Sequence, residues 1–179
     1  ASVMTEAMTR TDSSEPIGEA LAVPENLAAL IDHYIAQLGD EQRAMLAAAA
    51  VCGSAFRVGT VALALGRETA WVDQTCEELA RMQLWLKPTE QGGDASEATY
   101  SFSHALFRQV LYERTATGVR GQLHRKVGAA LEQERAAGLA VTPAELAMNF
   151  ERGREPMRAL GYYAEAAEAA LLHFSPGEC

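Results

Sequence analysis

The stretch "YSFSHALFRQVLYERT", residues 100–115, holds the side chain with the most chemical promise in the chain, His104. Tyr100 and Phe102 stand two apart, as on one face of a strand. Leu106, Phe107, Val110 and Leu111 recur at three and four, as on a helix. His104 therefore falls where a strand hands over to a helix. An imidazole there has two ordinary uses. It caps the helix or bonds a neighbouring carbonyl, or it donates a ring N–H to an anion that the free N–H groups of the helix start also attract.

The other reactive side chains are scattered. His33 falls on the helix face opposite Leu30 and Tyr34, which predicts a solvated ring. His124 adjoins Leu123 and is expected to pack or bond locally, and His173 lies near the end of the sequence. No metal set follows from this spacing. Cys52, Cys76 and Cys179 are odd in number and far apart, with no C-x-x-C and no zinc-type spacing. The first two sit in apolar helical patterns and read as buried thiols of a reducing compartment. Glu77 and Glu78 are adjacent, so a helix turns them to different sides. No nucleophile elbow and no paired carboxylates with a supporting base are present, which argues against an enzyme.

Charge narrows the partners. The 179 residues carry a formal net charge of −9. Nucleic-acid binders draw most of their affinity from basic clusters set against phosphate. The densest basic stretch, Arg108 to Lys126, is interrupted by Glu113 and lies on two predicted helices. No apolar run has the length of a membrane span, and the first twenty residues are too polar for a signal peptide. A cytoplasmic protein without nucleic-acid or membrane partners is the simplest account. Alanine-rich runs such as "MLAAAAVCG" and "YYAEAAEAALL" point to closely packed helices.

These residues must be positioned by a mainly α chain. Residues 1–22 lack periodicity and read as a flexible leader or the end of a preceding domain. Leu27, Leu30, Ile31, Tyr34, Ile35 and Leu38 form one helical stripe, with Pro24 in its first turn and Gly39 at its stop. Asp40 is expected to cap a second helix ending at Gly53. A third covers Val58 to Leu65, stopped by Gly66, and a fourth Glu68 to Gln83, with Val72, Cys76 and Leu79 on one face. "LWLKP" and "TYSF" then alternate as short strands joined by the polar loop "TEQGGDASEA". Trp71 and Trp85 are expected to fill space around this hairpin. Several short helices followed by a hairpin make the layout of a winged helix, over residues 23–116.

Residues 117–179 read as helical throughout. Leu123, Val127, Ala130 and Leu131 share a face between Val119 and Arg135. "TPAE" is a capping box, with Thr142 as cap and Glu145 reaching back. The turn "ERGREP" leads to a last helix, in which Tyr162 and Tyr163 are expected to act as knobs among alanines. Paired antiparallel helices with small residues at the contact make one unit of an α-solenoid. The chain stops before a second complete unit, so a truncated start of tetratricopeptide-like repeats is expected.

Three stretches together carry a resemblance: "VPENLAALIDHYIAQLGDEQRAMLAAAAVCGSAF", "YSFSHALFRQVLYERTATGVRGQLHRKVGAALE" and "LAMNFERGREPMRALGYYAEAAEAA". Their order and spacing, over roughly residues 23–175, resemble the segment downstream of the ATPase core in STAND-type signal-transduction ATPases. That family includes large bacterial transcriptional regulators and some multidomain cyclases and kinases. The resemblance implies a winged helix followed by tetratricopeptide-like repeats that sense or scaffold. It implies an ATPase core in cis and ATP or ADP as the full-length protein's ligand. It also implies a protein or small-molecule inducer. Nothing here matches G-x-x-x-x-G-K-[ST], so these residues are expected to be regulatory and not catalytic, with no cofactor of their own. Many relatives have a histidine pair where this chain has Met148 and Asn149, so no role is transferred there.

In the plant and animal branch of that superfamily, a Met-His-Asp motif opens the helix after the winged-helix hairpin, and its His contacts the β-phosphate of ADP. Ser103-His104-Ala105 occupies the similar place, with Ala105 where the motif has its acid. The resemblance thus implies a nucleotide-sensing role for His104, beside the capping role that the residues alone allow. The competing functions are a plain helical interaction scaffold and a DNA-binding winged helix. The latter is disfavoured because the helix that would enter the groove carries Glu68, Asp73, Glu77 and Glu78 against Arg81.

Overall fold

The computed structural model describes residues 25–89 and 98–174. The leader over 1–22, Pro24, most of the hairpin loop (residues 90–97) and Cys179 lie outside the described residues. Within them the fold is mainly helical with a small three-stranded antiparallel sheet. Its helices are α1 (Glu25–Ala36), α2 (Asp40–Cys52), α3 (Val58–Leu65), α4 (Thr69–Arg81), α5 (Ala105–Arg114), α6 (Thr117–Ala136), α7 (Pro143–Arg152) and α8 (Pro156–Phe174). The strands are β1 (Ala55–Arg57), β2 (Leu86–Pro88) and β3 (Thr99–Phe102), in the order β1-β3-β2.

The helix boundaries follow local chemistry. Gly66 ends α3 in the left-handed region (φ 64°), where a residue without Cβ is unstrained. Thr142 caps α7: its hydroxyl accepts the Glu145 N–H at 3.2 Å, and Glu145 takes the Thr142 N–H at 2.9 Å. At α2 the expectation fails by one residue. Gly39 is the extended N-cap (φ −65°, ψ 159°) and Asp40 is the first helical residue. Gln42 reaches back to the Gly39 N–H at 3.1 Å, which leaves Asp40 free to pair with Arg43.

Strand β1 was not foreseen. Its three residues carry no period, and it exists through pairing with β3, Ala55 opposite Ser101 and Arg57 opposite Thr99. The middle strand places Tyr100 and Phe102 inward against Phe56, with ring centroids 6.4 and 6.0 Å away. Trp85 completes this cluster as expected. Trp71 does not: it lies on α4 facing the start of α2, with the Arg67 guanidinium 5.1 Å from its ring. Leu30 is also misplaced by the stripe, being 48% exposed, because α1 packs chiefly on α5 and covers only part of its apolar face.

Helix α6 organises the C-terminal half. It packs on α2 and α3 along one side and on α7 along another. Leu123, Val127 and Leu131 join one continuous core with Leu46, Val61, Leu146 and Phe150. The α7–α8 pair closes around Phe150, which stacks on Tyr162 (centroids 5.8 Å apart, planes 14° apart) and carries Arg158 at 3.8 Å from its ring. Tyr163, expected as a second knob, is 43% exposed and donates its hydroxyl to Glu151 at 2.6 Å instead.

Candidate functional site

Three polar constellations stand out, each built by a different junction of the fold. The first is His104. Strand β3 is pinned up to the residue before it, because the Phe102 N–H reaches Ser54 O and the Ser103 N–H reaches Trp85 O, both at 3.0 Å. His104 is then the extended N-cap of α5 (φ −139°, ψ 137°), and its carbonyl accepts the Phe107 N–H at 3.1 Å. Its ring makes no capping bond. The ring lies 5.8 Å from that of Phe107, which meets Trp85 edge-on at 5.1 Å. The imidazole is thus propped on an aromatic ladder and open to solvent. By helix geometry the N–H groups of Ala105 and Leu106 beside it lack intrahelical acceptors. An exposed ring with two such donors can meet an oxyanion.

The second constellation is buried. His124, 1% exposed, is held between α5 and α7 by Tyr112 at 2.9 Å on Nε2 and by Asn149 Oδ1 at 2.9 Å on Nδ1. The Asn149 amide donates to the Glu145 carbonyl at 2.9 Å, which turns its oxygen toward the ring. That choice fixes the tautomer. Nδ1 carries the proton and donates to Asn149, and Nε2 accepts from the Tyr112 hydroxyl. Burial pushes the imidazole pKa down from 6.5; the Asn149 bond opposes this, and the nearby Arg152 and Arg120 charges reinforce it. The ring packs, as expected, but its hydrogen bonds are not local: Tyr112 and Asn149 stand 12 and 25 residues away on other helices. The sequence placed no role on Asn149, because only tertiary packing brings α7 across α6 at this point.

The third is Glu134, 5% exposed near the end of α6. Arg57 grips one of its oxygens through both Nε, at 3.1 Å, and Nη2, and the Thr60 hydroxyl donates to the other. The charge ties α6 to the β1–α3 junction. Its signal was present in the sequence: Val127, Ala130, Leu131 and Glu134 share one helical face, so a carboxylate interrupts an apolar stripe and requires partners. Cys52 lies close by, and burial together with the Glu134 charge raises its pKa to about 12. Burial and then Asp73 do the same for Cys76. Cys76 is buried as expected, whereas Cys52 is half-buried; neither thiol has thiolate character.

The predicted histidines do not converge. His33 is exposed and bonded to Gln37 at 3.0 Å, as expected for a solvated ring, and His104 and His124 belong to separate surroundings. His173 lies on α8. Among the described residues no group of three or more His, Cys, Asp or Glu side chains could hold a metal ion. None of the described helices is long and apolar enough to cross a membrane. Two adjoining open clefts, about 470 and 300 Å³, lie between the start of α2 and α4, lined by Asp40, Glu41, Trp71 and Glu78 among others. His104 is in neither, and the rim of the smaller cleft also carries Arg67, paired with Glu41 at 2.8 Å. Comparison with protein-family models, with curated proteins and with solved structures finds no match to this chain.

Proposed function

We propose that these residues form a non-catalytic regulatory segment of a STAND-type ATPase, acting in transcriptional regulation. In this reading α1 to α5 make a winged helix that serves as a nucleotide-responsive lid. The helices from α6 onward begin tetratricopeptide-like repeats that bind an inducer or a partner protein. His104 supplies the contact to nucleotide: its ring N–H, with the N–H groups that open α5, faces the β-phosphate of ADP held by a core in cis. Loss of that contact on exchange lets the lid swing.

The observation that carries the reading is the exposed, unbonded ring of His104 at the N-cap of α5, directly after a strand of the ribbon. Supporting it are the element order and the acidic character of α4. Glu77 pairs with Arg81 on that helix, and Asp73 accepts from Tyr100, so α4 offers phosphate no basic face. The test is a titration of the full-length protein with fluorescent ADP, with and without His104→Ala. Loss of a charge-assisted phosphate contact weakens binding by about tenfold. Equal affinity removes His104 from the site. A plain interaction scaffold is the second reading, favoured by the apolar outer face of α8. Under it the full-length protein shows no nucleotide-dependent change in the position of this segment.

A further inference from the structure

Helix α8 has two faces with opposite fates. Ala159, Tyr162 and Glu165 turn inward, with Tyr162 on Phe150 and Glu165 bonded to Arg135 at 3.0 Å. On the other face Met157 is 79% exposed, Leu160 63% and Leu171 71%. Ala164 and Ala167 stand exposed between them. These positions are spaced three, four, three and four residues apart. That is the a/d repeat of a helix seam, and it lies on the side of α8 that no described residue covers. A globular surface helix of this amphipathicity presents one apolar stripe to its core; α8 presents a second one to solvent.

The order of sizes along the seam identifies the occupant. Reading a and d positions in turn gives large, large, small, small, large, a near-palindrome about the Ala164–Ala167 step. Laid antiparallel on itself across a two-fold axis at that step, Leu160 of one copy meets Leu171 of the other and Ala164 meets Ala167. The small pair lets the axes approach to about 8 Å. Charge agrees with the pairing. The flanking positions are Gly161 and Glu168 on one side and Tyr163 and Ala170 on the other. The two-fold sets Glu168 beside Gly161 and Tyr163 beside Ala170, so no like charges face each other. The Tyr163 ring is already held at the seam edge by its bond to Glu151.

We propose that this face of α8 is a homodimer interface, occupied by α8 of a second copy in antiparallel, isologous contact. The inference does not depend on the nucleotide-lid reading. Covering the exposed apolar side chains on both copies removes on the order of 1,000 Å² from water, the lower edge of specific association. With little more than two heptads the contact is weak, dissociating in the range of about 10 μM.

Sedimentation equilibrium of the chain between about 1 and 300 μM tests it. The weight-average mass should climb from 19.2 kDa toward twice that value. Leu160→Glu and Leu171→Glu should each hold the monomer without lowering the melting temperature, because both side chains are exposed in the single copy. Leu63→Glu, on α3 and 48% exposed, should leave the dimer intact. The register has its own readout. When Ala164→Cys and Ala167→Cys chains are mixed in a Cys179→Ser background, mild oxidation should favour the mixed disulfide over either homodimer. A mass fixed at 19.2 kDa across the range would overturn the proposal. A dimer that survives Leu160→Glu overturns it equally.

Discussion

At the scale of single residues, His124 is a buried titratable side chain that the fold holds neutral. Its folded pKa lies below 6.5 because burial, with Arg152 and Arg120 near the ring, penalises the cation. The sign of the pH effect follows. Below 6.5 the unfolded chain takes up a proton that the folded chain resists. The contribution of this site is therefore intact above 6.5 and falls as pH drops from there toward the depressed folded value. Urea unfolding at pH 7.5 and 5.5 measures it. The native chain should lose more stability across that interval than His124→Gln, which keeps hydrogen-bonding groups in the cavity but cannot titrate; parallel losses would remove His124 as the source. The legibility of such residues was uneven for a physical reason. His104 was visible because its position depends on a local change of period. Asn149 was not, because its partner is 25 residues away and the amide has no pattern of its own.

At the scale of elements, close approach decides which helices pair. On α6, a Cβ at Gly128 would stand 2.9 Å from Cε1 and 3.0 Å from Cζ of the fully buried Phe150. The missing side chain is what lets α7 lie against α6. Gly128→Ala gains about 1 kcal/mol of helix propensity but overpacks the contact by about 1–3 kcal/mol, because Phe150 is also clamped by Tyr162 and Arg158. The expected outcome is a melting temperature lowered by several degrees; a rise would show that Phe150 has room to yield. Gly153 works the same way at the end of α7. Its φ of −74° is open to any residue, but a Cβ would meet Arg125 Cγ at 2.7 Å and the Asn149 carbonyl at 3.0 Å. Elements with a local signature were readable: α3 ends where Gly66 ends it, and α7 begins where its capping box begins. Strand β1 was hidden because its hydrogen bonds run to residues 99–101, and a three-residue strand holds no period to read.

For the whole molecule the question is whether the N-terminal and C-terminal halves unfold apart. A boundary between residues 116 and 117 suits the change of sequence character, but α6 begins there and serves both sides. Leu123, Val127 and Leu131 belong to the same core as the α2–α3 residues, and Glu134 is gripped by Arg57 and Thr60 from the β1–α3 junction. A carboxylate buried in the stripe of α6 should therefore be felt by every element. Leu131 is 8% exposed and stands one turn before Glu134, so Leu131→Asp places an uncompensated charge in apolar surroundings beside a like charge. The cost is about 3–5 kcal/mol, a large part of the stability of a domain this size. Because the core is continuous, the loss should appear as one cooperative transition moved to lower temperature, followed alike by Trp fluorescence from Trp71 and Trp85 and by far-ultraviolet circular dichroism. Tryptophan signal holding at its native midpoint while helix content falls early would mean that the N-terminal half folds without α6, and that the Glu134 grip joins two independently stable bodies.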